Sequence, residues 1–150
     1  KHWRGKQKSV NEISQVVLPN IISLRMLNLL EEDLDSIAKK RRDNYVMLYD
    51  RILQFDNIKP LKKILPEDTC PYVFPVIIKK NMKKIKSRLH QKGIPANNWP
   101  YLPTEISEKK NKYKNANWLY NNVLLLPTHQ GLDKAQISYV LSVLKKALDD

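Results

Sequence analysis

The sequence contains little cysteine, little glycine and no long apolar run, and each shortage excludes a class of protein. The one cysteine, Cys70, cannot form a disulfide within the chain, which is typical of a reducing compartment and points to the cytoplasm. Three glycines are too few to build a glycine-rich phosphate loop or a dinucleotide-binding fingerprint. No apolar stretch approaches the roughly 20 residues that cross a bilayer, so we expect no membrane insertion. The chain opens Lys1-His2-Trp3 without an initiator methionine or a signal-type segment, so we expect it to derive from a longer or processed polypeptide.

Candidate metal ligands and catalytic nucleophiles are also sparse. The three histidines, His2, His90 and His129, are far apart and no second cysteine accompanies them, so the sequence predicts no metal site. No serine lies in a nucleophile turn, and Cys70 is best explained as a small apolar residue at the start of a strand. The acidic run between residues 31 and 35 is typical of a solvated helix face. We therefore expect no self-contained catalytic constellation.

Positive charge, in contrast, is abundant. The chain has 27 Lys and Arg residues against 15 Asp and Glu, a formal charge of +12 that could attract nucleic acid, anionic lipid or phosphorylated ligands. Most of these cations stand beside apolar positions, as solvated helix faces require. Six aromatic residues could provide a stacking platform for single-stranded nucleic acid, although no RNA-recognition or KH signature accompanies them: Tyr72, Phe74, Trp99, Tyr101, Trp118 and Tyr120. A basic nucleic-acid-binding module is therefore one alternative.

The spacing of apolar residues predicts helices alternating with two short strands. Apolar residues recur every three or four positions from Ser23 to Phe55, which indicates one long amphipathic helix or two in series. The apolar run Tyr72–Ile78 predicts a strand, with Pro75 at a sheet edge or a bulge because proline cannot donate to a ladder. A second apolar run at residues 123–126 predicts another strand.

The segments between and after these strands carry helix signals. Asn81 is predicted to cap a short helix, and Gly93 to supply the left-handed residue at its end. A long ordered loop is predicted from Ile94 to Tyr113. Asp133 and Gln136 form a predicted capping box that opens the last helix.

The order of these elements predicts the fold class. It indicates an α/β domain in which helices cover a small sheet, over residues 20–150. Residues 1–19 are predicted to be a weakly ordered arm or a remnant of a preceding domain. A leading helix of roughly 30 residues exceeds what one small domain needs, which suggests a structural connector.

Four segments occur in an order that resembles the end of a DegT-type aminotransferase. They are the strand Tyr72–Val76, the helix end Leu89–Ile94, the loop Trp99-Pro100 and the segment Leu125–Leu132. The upstream segment Arg41–Tyr45 resembles the arginine and tyrosine on the helix that connects the two domains of that family. The ordered set carries the resemblance, and it covers about residues 20 to 148.

The resemblance implies the carboxy-terminal small domain of a fold type I, pyridoxal-phosphate-dependent sugar aminotransferase. Such a domain has a small, mostly antiparallel sheet covered by helices and preceded by the connecting helix. The lysine that binds the cofactor would lie upstream of this chain, so the isolated chain is expected to be inactive. For the parent protein the resemblance implies a nucleotide-linked keto-sugar as substrate and a homodimer as the assembly.

The resemblance also selects candidate site residues. Tyr72, Phe74, Trp99 and His129 are predicted to face the substrate or line the cleft, and Asn20 to contact the cofactor phosphate in a neighbouring subunit. Packing in the core is an alternative for Tyr72 and Phe74, since alternate residues of a strand share one face. His129 could instead order the turn before the last helix.

One departure limits what the resemblance implies. The family's strand often begins with a histidine, whereas Cys70-Pro71-Tyr72 stands here, so the substrate contacts of that histidine do not transfer. Besides the nucleic-acid-binding module, a domain that keeps the aminotransferase tail only for dimerisation remains open.

Overall fold

The computed structural model describes residues 20–31, 33–62, 65–99 and 101–149. The predicted arm at residues 1–19 lies outside the described residues. The chain divides into two units, the first ending at Leu34 and the second beginning at Asp35, and each is described by itself. Within the described residues, no helix is long and apolar enough to cross a membrane.

The described part of the first unit is a helix, α1 (Ile21–Glu31). Asn20 caps it, because the Ser23 backbone N–H donates to the Asn20 Oδ1 atom over 2.8 Å. Several apolar side chains of α1 are exposed to solvent: Ile21, Ile22, Leu24, Met26, Leu27 and Leu29. The predicted apolar stripe of this segment is therefore not buried within the described part of its unit.

A second helix, α2 (Leu34–Ile52), follows α1, so the expected helical region is two helices in series. The interruption falls at the acidic run, and α2 then begins with Asp35 in its first turn, where a negative charge is favourable near the helix dipole. Within the second unit, α2 buries Asn44, Tyr45, Leu48 and Ile52. These positions are spaced at one, three and four residues, as one face of a helix requires.

Three short strands form an antiparallel sheet in the order β1-β2-β3: β1 (Ile58–Pro60), β2 (Val73–Ile78) and β3 (Val123–Pro127). β2 is central, which corrects the expectation that Pro75 lies on an edge strand or a bulge. Pro75 pairs in register with Leu125, and its carbonyl accepts the Leu61 N–H over 2.9 Å, one residue beyond the end of β1. The Pro75 nitrogen, which carries no hydrogen, therefore faces the β1 side of the sheet at a position just beyond the last paired residue of β1.

The two faces of the sheet differ in burial. Alternate residues of β2 are fully buried and point to the core: Phe74, Val76 and Ile78. They pack in one hydrophobic cluster with residues of α2, of α3 (Met82–Gln91) and of α6 (Lys134–Asp149). The intervening residues of β2 are half-buried on the opposite face. The structure confirms the predicted α/β class with a small antiparallel sheet covered by helices.

The helix signals around α3 are only partly as predicted. Asn81 does precede α3, but its side chain makes no capping hydrogen bond and its backbone is left-handed, with φ of 59°. Gly93 takes the expected left-handed conformation at the other end, with φ of 75°.

The segment after α3 contains more helix than expected. One helical turn, α4 (Thr104–Ser107), lies inside the predicted loop. A second helix that the sequence did not reveal, α5 (Lys114–Asn122), leads directly into β3. Its asparagines bond back to the preceding turn, for example Asn121 Nδ2 to the Asn117 carbonyl over 2.7 Å.

The capping box of α6 is confirmed. The Gln136 N–H donates to the Asp133 Oδ1 atom over 2.7 Å, and the Asp133 N–H donates to the Gln136 Oε1 atom over 2.9 Å. Two of the four unpaired donors at this helix end are thereby satisfied. The capping box consequently fixes the backbone where the preceding turn joins α6.

Candidate substrate-binding surface

The sheet face opposite the core carries two neighbouring cavities in the second unit. Cavity A has a volume of about 580 Å³, and cavity B about 490 Å³. The two share Tyr72, Val73, Trp99 and Leu125 as lining residues. Cavity A is mostly apolar, with Tyr45, Lys62, Cys70, Leu119 and Tyr120 among its other lining residues. Cavity B is bounded in addition by polar groups: Arg41, Asn97, Asn98, Thr128 and His129.

Tyr72 and Trp99 form the part of the surface common to both cavities. Tyr72 is 81% exposed and Trp99 is 65% exposed, values far above those of core aromatic residues. Tyr72 directly precedes β2, so the core alternative considered for it does not hold. Two large exposed aromatic side chains on a concave surface are typical of a place where a ligand or another domain packs.

The loop that carries Trp99 is fixed to both α3 and β3. Asn97 and Leu125 exchange two backbone hydrogen bonds of 2.7 and 3.1 Å, which extends the sheet by one bridge. The Lys86 Nζ atom donates to Asn98 Oδ1 over 2.8 Å, and the His90 ring bonds the Ala96 carbonyl over 2.6 Å. The hydrogen bonds made by the three residues before Trp99 therefore fix the loop that carries it.

A turn from His129 to Leu132 brings the fourth predicted residue to cavity B. The Leu132 N–H donates to the His129 carbonyl over 3.0 Å, which closes the turn. The buried Thr128 hydroxyl donates to the Pro71 carbonyl over 3.3 Å and ties the turn to the residue before Tyr72. Tyr72, Trp99 and His129 thus line one cavity although 57 residues separate the first from the last.

Arg41 places a positive charge on the wall of cavity B. Its Nε atom donates to Gln130 Oε1 over 2.8 Å, and the side chain is half-buried. The resemblance had pointed to Arg41 as a residue of the connecting helix, but not as part of the site. The only signal in the sequence was the resemblance of the segment Arg41–Tyr45 to the family's connecting helix.

Phe74, in contrast, lies in the core. It is 0% exposed, and its ring meets the Tyr45 ring edge-on, with centroids 4.6 Å apart and planes at 69°. No ligand in either cavity can reach it from this face, because it points to the opposite side of the sheet. Its burial and aromatic contact support the alternative in which Phe74 packs the core.

Tyr45 connects that core to cavity A. Its hydroxyl donates to the Lys62 carbonyl over 3.1 Å. Burial raises the pKa of the Tyr45 hydroxyl, and the neighbouring Tyr49 raises it further.

Asn20 lies in the first unit and has a local role. Its Oδ1 atom accepts the Ser23 N–H at the start of α1, and the residue is exposed. Nothing in this geometry tests the predicted contact with a cofactor phosphate, which stays a prediction.

The two cavities do not make a complete site for pyridoxal phosphate. Such a site needs a lysine for the Schiff base and an aspartate or arginine beside the pyridine nitrogen. Among the described residues, cavity A is lined by one lysine, Lys62, but by no aspartate or arginine, and cavity B is lined by Arg41 but by no lysine. Neither cavity alone therefore supplies both groups that hold the cofactor.

Solved structures that share this fold are fold type I aminotransferases, and they include sugar aminotransferases. The chain itself belongs to the DegT/DnrJ/EryC1/StrS aminotransferase family, whose sequence profile matches residues 19–145. No curated protein sequence matches the chain.

Three solved structures illustrate the likeness. The aminotransferase TlmJ from Streptoalloteichus hindustanus aligns with a TM-score of 0.70 at 18% identity, over 81% of this chain and 34% of its own. DesV from S. venezuelae, in complex with a ketimine intermediate, aligns with a TM-score of 0.72 at 17% identity, over 83% of this chain and 35% of its own. The putative sugar aminotransferase Spr1654 from Streptococcus pneumoniae, in its PMP form, aligns with a TM-score of 0.68 at 22% identity, over 85% of this chain and 34% of its own. The chain thus spans about a third of the length of the structures it matches.

Proposed function

We propose that this chain is the carboxy-terminal small domain of a pyridoxal-phosphate-dependent sugar aminotransferase, and that cavities A and B form its part of the substrate site. The family membership and the match to about a third of each aminotransferase structure support the domain assignment. The observation that carries the site is the convergence of Tyr72, Trp99 and His129 on one cavity.

The chemistry of cavity B suits a nucleotide-linked keto-sugar. The Arg41 guanidinium offers charged donors to a phosphate oxygen, and such bonds are about twice as strong as neutral ones. Trp99 and Tyr72 offer flat apolar faces to a sugar or a base. Asn97, Asn98 and His129 can exchange hydrogen bonds with hydroxyl or carbonyl oxygens.

The residues of this chain therefore bind and orient the substrate in this proposal, and the cofactor is held by residues outside it. When bound, pyridoxal phosphate carries the amino group between donor and acceptor. The side chains that line both cavities would close one side of the reaction site and exclude water from it. The isolated chain is expected to show no transamination.

Two further features belong to the proposal. We expect a homodimer, in which Asn20 reaches the cofactor phosphate of the neighbouring subunit. We also expect a cytoplasmic location, which the free and exposed Cys70 supports, because an unpaired thiol is usual in a reducing compartment.

The test compares two tryptophan variants in the protein as its gene encodes it. Trp99→Ala removes the ring shared by both cavities, whereas Trp118→Ala removes a ring of α5 that is 47% exposed and lines neither cavity. We expect Trp99→Ala to raise KM for the keto-sugar by about 5-fold or more, since loss of an aromatic stacking contact costs about 1–3 kcal/mol. Trp118→Ala should leave KM within about twofold. Equal KM values for the two variants would contradict the proposed site.

The nucleic-acid-binding alternative rests on the formal charge of +12. A titration with single-stranded oligonucleotides at two salt concentrations separates the alternatives. The aminotransferase proposal predicts weak binding that disappears near physiological salt. Tight binding with a steep salt dependence would favour the alternative, because each neutralised phosphate releases counterions.

A further inference from the structure

Three hydrogen bonds hold the turn that carries His129. From α2, the Asn44 Nδ2 atom donates to the His129 carbonyl over 2.9 Å, and the Arg41 Nε atom donates to Gln130 over 2.8 Å. From within the turn, the Gly131 N–H donates to the His129 Nδ1 atom over 3.0 Å. Backbone and ring of His129 are therefore fixed by separate groups.

The contact with Gly131 determines the tautomer of His129. A nitrogen that accepts a hydrogen bond carries no proton, so the proton of the neutral ring lies on Nε2. The described residues include no hydrogen-bond partner for Nε2, and His129 lines cavity B. His129 is exposed, so its Nε2–H is a donor that solvent or a ligand in the cavity can reach.

A side chain on residue 131 would crowd the His129 ring and force it to move by a few tenths of an ångström. A Cβ atom placed on residue 131 would lie 3.0 Å from the His129 Nδ1 atom and 3.4 Å from its Cε1 atom. The first distance is shorter than carbon and nitrogen atoms normally approach without a hydrogen bond. The backbone of Gly131 is not left-handed, so close approach rather than conformation explains the glycine.

Asn44 is buried with one unpaired polar atom, an unfavourable arrangement that is consistent with a role in holding the turn. It is fully buried, and its Oδ1 atom has no hydrogen-bond partner. Its Nδ2 atom faces two carbonyl oxygens, those of His129 at 2.9 Å and Leu132 at 3.4 Å, so the amide orientation follows from the need for a donor. An unpaired buried acceptor is unfavourable, yet an apolar residue here would leave the turn without its donor.

We propose that Gly131 and Asn44 are positioning residues for His129: Asn44 holds its backbone, and the Gly131 N–H holds its ring as the Nε2–H tautomer, so that Nε2 donates to an oxygen of the ligand in cavity B. This inference rests on the proposed function for the identity of the ligand. The arrangement of the turn itself is a property of the chain and can be measured without a substrate.

The first experiment uses nuclear magnetic resonance on the full chain at a pH where His129 is neutral. A scalar coupling between the Gly131 amide nitrogen and His129 Nδ1 is expected, together with an imidazole signal of a protonated Nε2. In Gly131→Ala the coupling should weaken, because the added Cβ pushes the ring away from the residue 131 amide. Absence of the coupling in the unmodified chain, or a coupling of undiminished size in Gly131→Ala, overturns the inference whatever the protein's function is.

The second experiment measures binding of UDP-glucose to the protein as its gene encodes it. Gly131→Ala and His129→Ala should each weaken binding by about threefold to tenfold, the effect of one lost hydrogen bond. The double variant should be no weaker than His129→Ala, since Gly131 acts only through the ring. Asn44→Ala should weaken binding in the same way, and it should change the His129 imidazole signal.

The two experiments separate this inference from the proposed function. If UDP-glucose binds and transamination occurs, but Gly131→Ala binds as tightly as the unmodified protein, the positioning role is wrong and the aminotransferase proposal stands. If the coupling is present but UDP-glucose does not bind at all, the proposed substrate class fails, and the positioning of His129 for that ligand fails with it.

Discussion

Tyr72, directly before β2, and Phe74, within it, offer a direct test of which aromatic residue packs the core and which faces a ligand. Tyr72 and Phe74 are two residues apart, and the sequence alone allows both to be buried. The structure separates them, since Tyr72 is 81% exposed and Phe74 is 0% exposed. Replacing each by alanine should therefore affect different properties.

The expected cost of Phe74→Ala follows from its surroundings. It removes a fully buried ring that packs between helices and the sheet, so it should destabilise the fold by about 3–5 kcal/mol. The loss includes the edge-on contact with Tyr45, a kind of contact that contributes about 0.5–1.5 kcal/mol beyond its buried area. Tyr72→Ala removes an exposed side chain, so its effect on stability should stay within about 0.5 kcal/mol.

Thermal and urea unfolding of the full chain measure the difference. For a chain of this size, each kcal/mol shifts Tm by about 2–4 °C, so Phe74→Ala should lower Tm by about 6–20 °C. Tyr72→Ala should change Tm by less than about 2 °C and instead weaken binding of the sugar nucleotide. A Phe74→Ala variant as stable as the unmodified chain would refute this account of the core, and a strongly destabilised Tyr72→Ala would refute the account of the cavity surface.

Three further changes test local features of the fold by unfolding measurements. The free energy of unfolding should fall as pH rises above the ordinary tyrosine pKa, because the raised pKa of Tyr45 means that the unfolded chain loses this proton first. Tyr45→Phe should flatten that fall. An unchanged pH profile in Tyr45→Phe would contradict this role of Tyr45. Asp133→Ala should cost about 0.5–2 kcal/mol through loss of the cap on α6, and a neutral result would count against the capping box. Gly93→Ala should cost about 1–2 kcal/mol from the left-handed backbone alone, since a Cβ there meets nothing within 4 Å, and Gly93→Asn should cost less.

The elements that the sequence predicted are those whose signal is local. The β2 and β3 runs are apolar and rich in β-branched or leucine side chains, and both are strands. The capping box before α6 and the glycine after α3 are single-residue signals with a direct backbone cause, and both are present.

The elements that were missed depend on tertiary contacts. α5 is rich in asparagine, a poor helix former, and it lies against α4 and β2 without burying any residue fully. Pro75 was expected at an edge because a proline cannot pair on both sides. The sheet accommodates it centrally because β1 ends one residue short of it, which no local pattern reveals.

The candidate site was predictable only in part, because some of its residues are also brought together by tertiary contacts. Trp99 and His129 were selected through motifs whose order resembles a family, and both lie at cavity B. Arg41 and Asn44 reach the site from a helix more than 80 residues earlier, through hydrogen bonds to the turn at residues 129–132. Such long-range contacts are specified by the packed fold and leave no spacing signal in the sequence.

The most direct test of the central claim is the absorbance of pyridoxal phosphate bound to the protein as its gene encodes it. We expect the protein to bind the cofactor, the absorbance to change when an amino-acid donor is added, and the original spectrum to return when a nucleotide-linked keto-sugar is supplied. The isolated 150-residue chain should show none of these changes. A gene-encoded protein that binds no pyridoxal phosphate, or whose bound cofactor does not respond to donor and acceptor, would contradict the account.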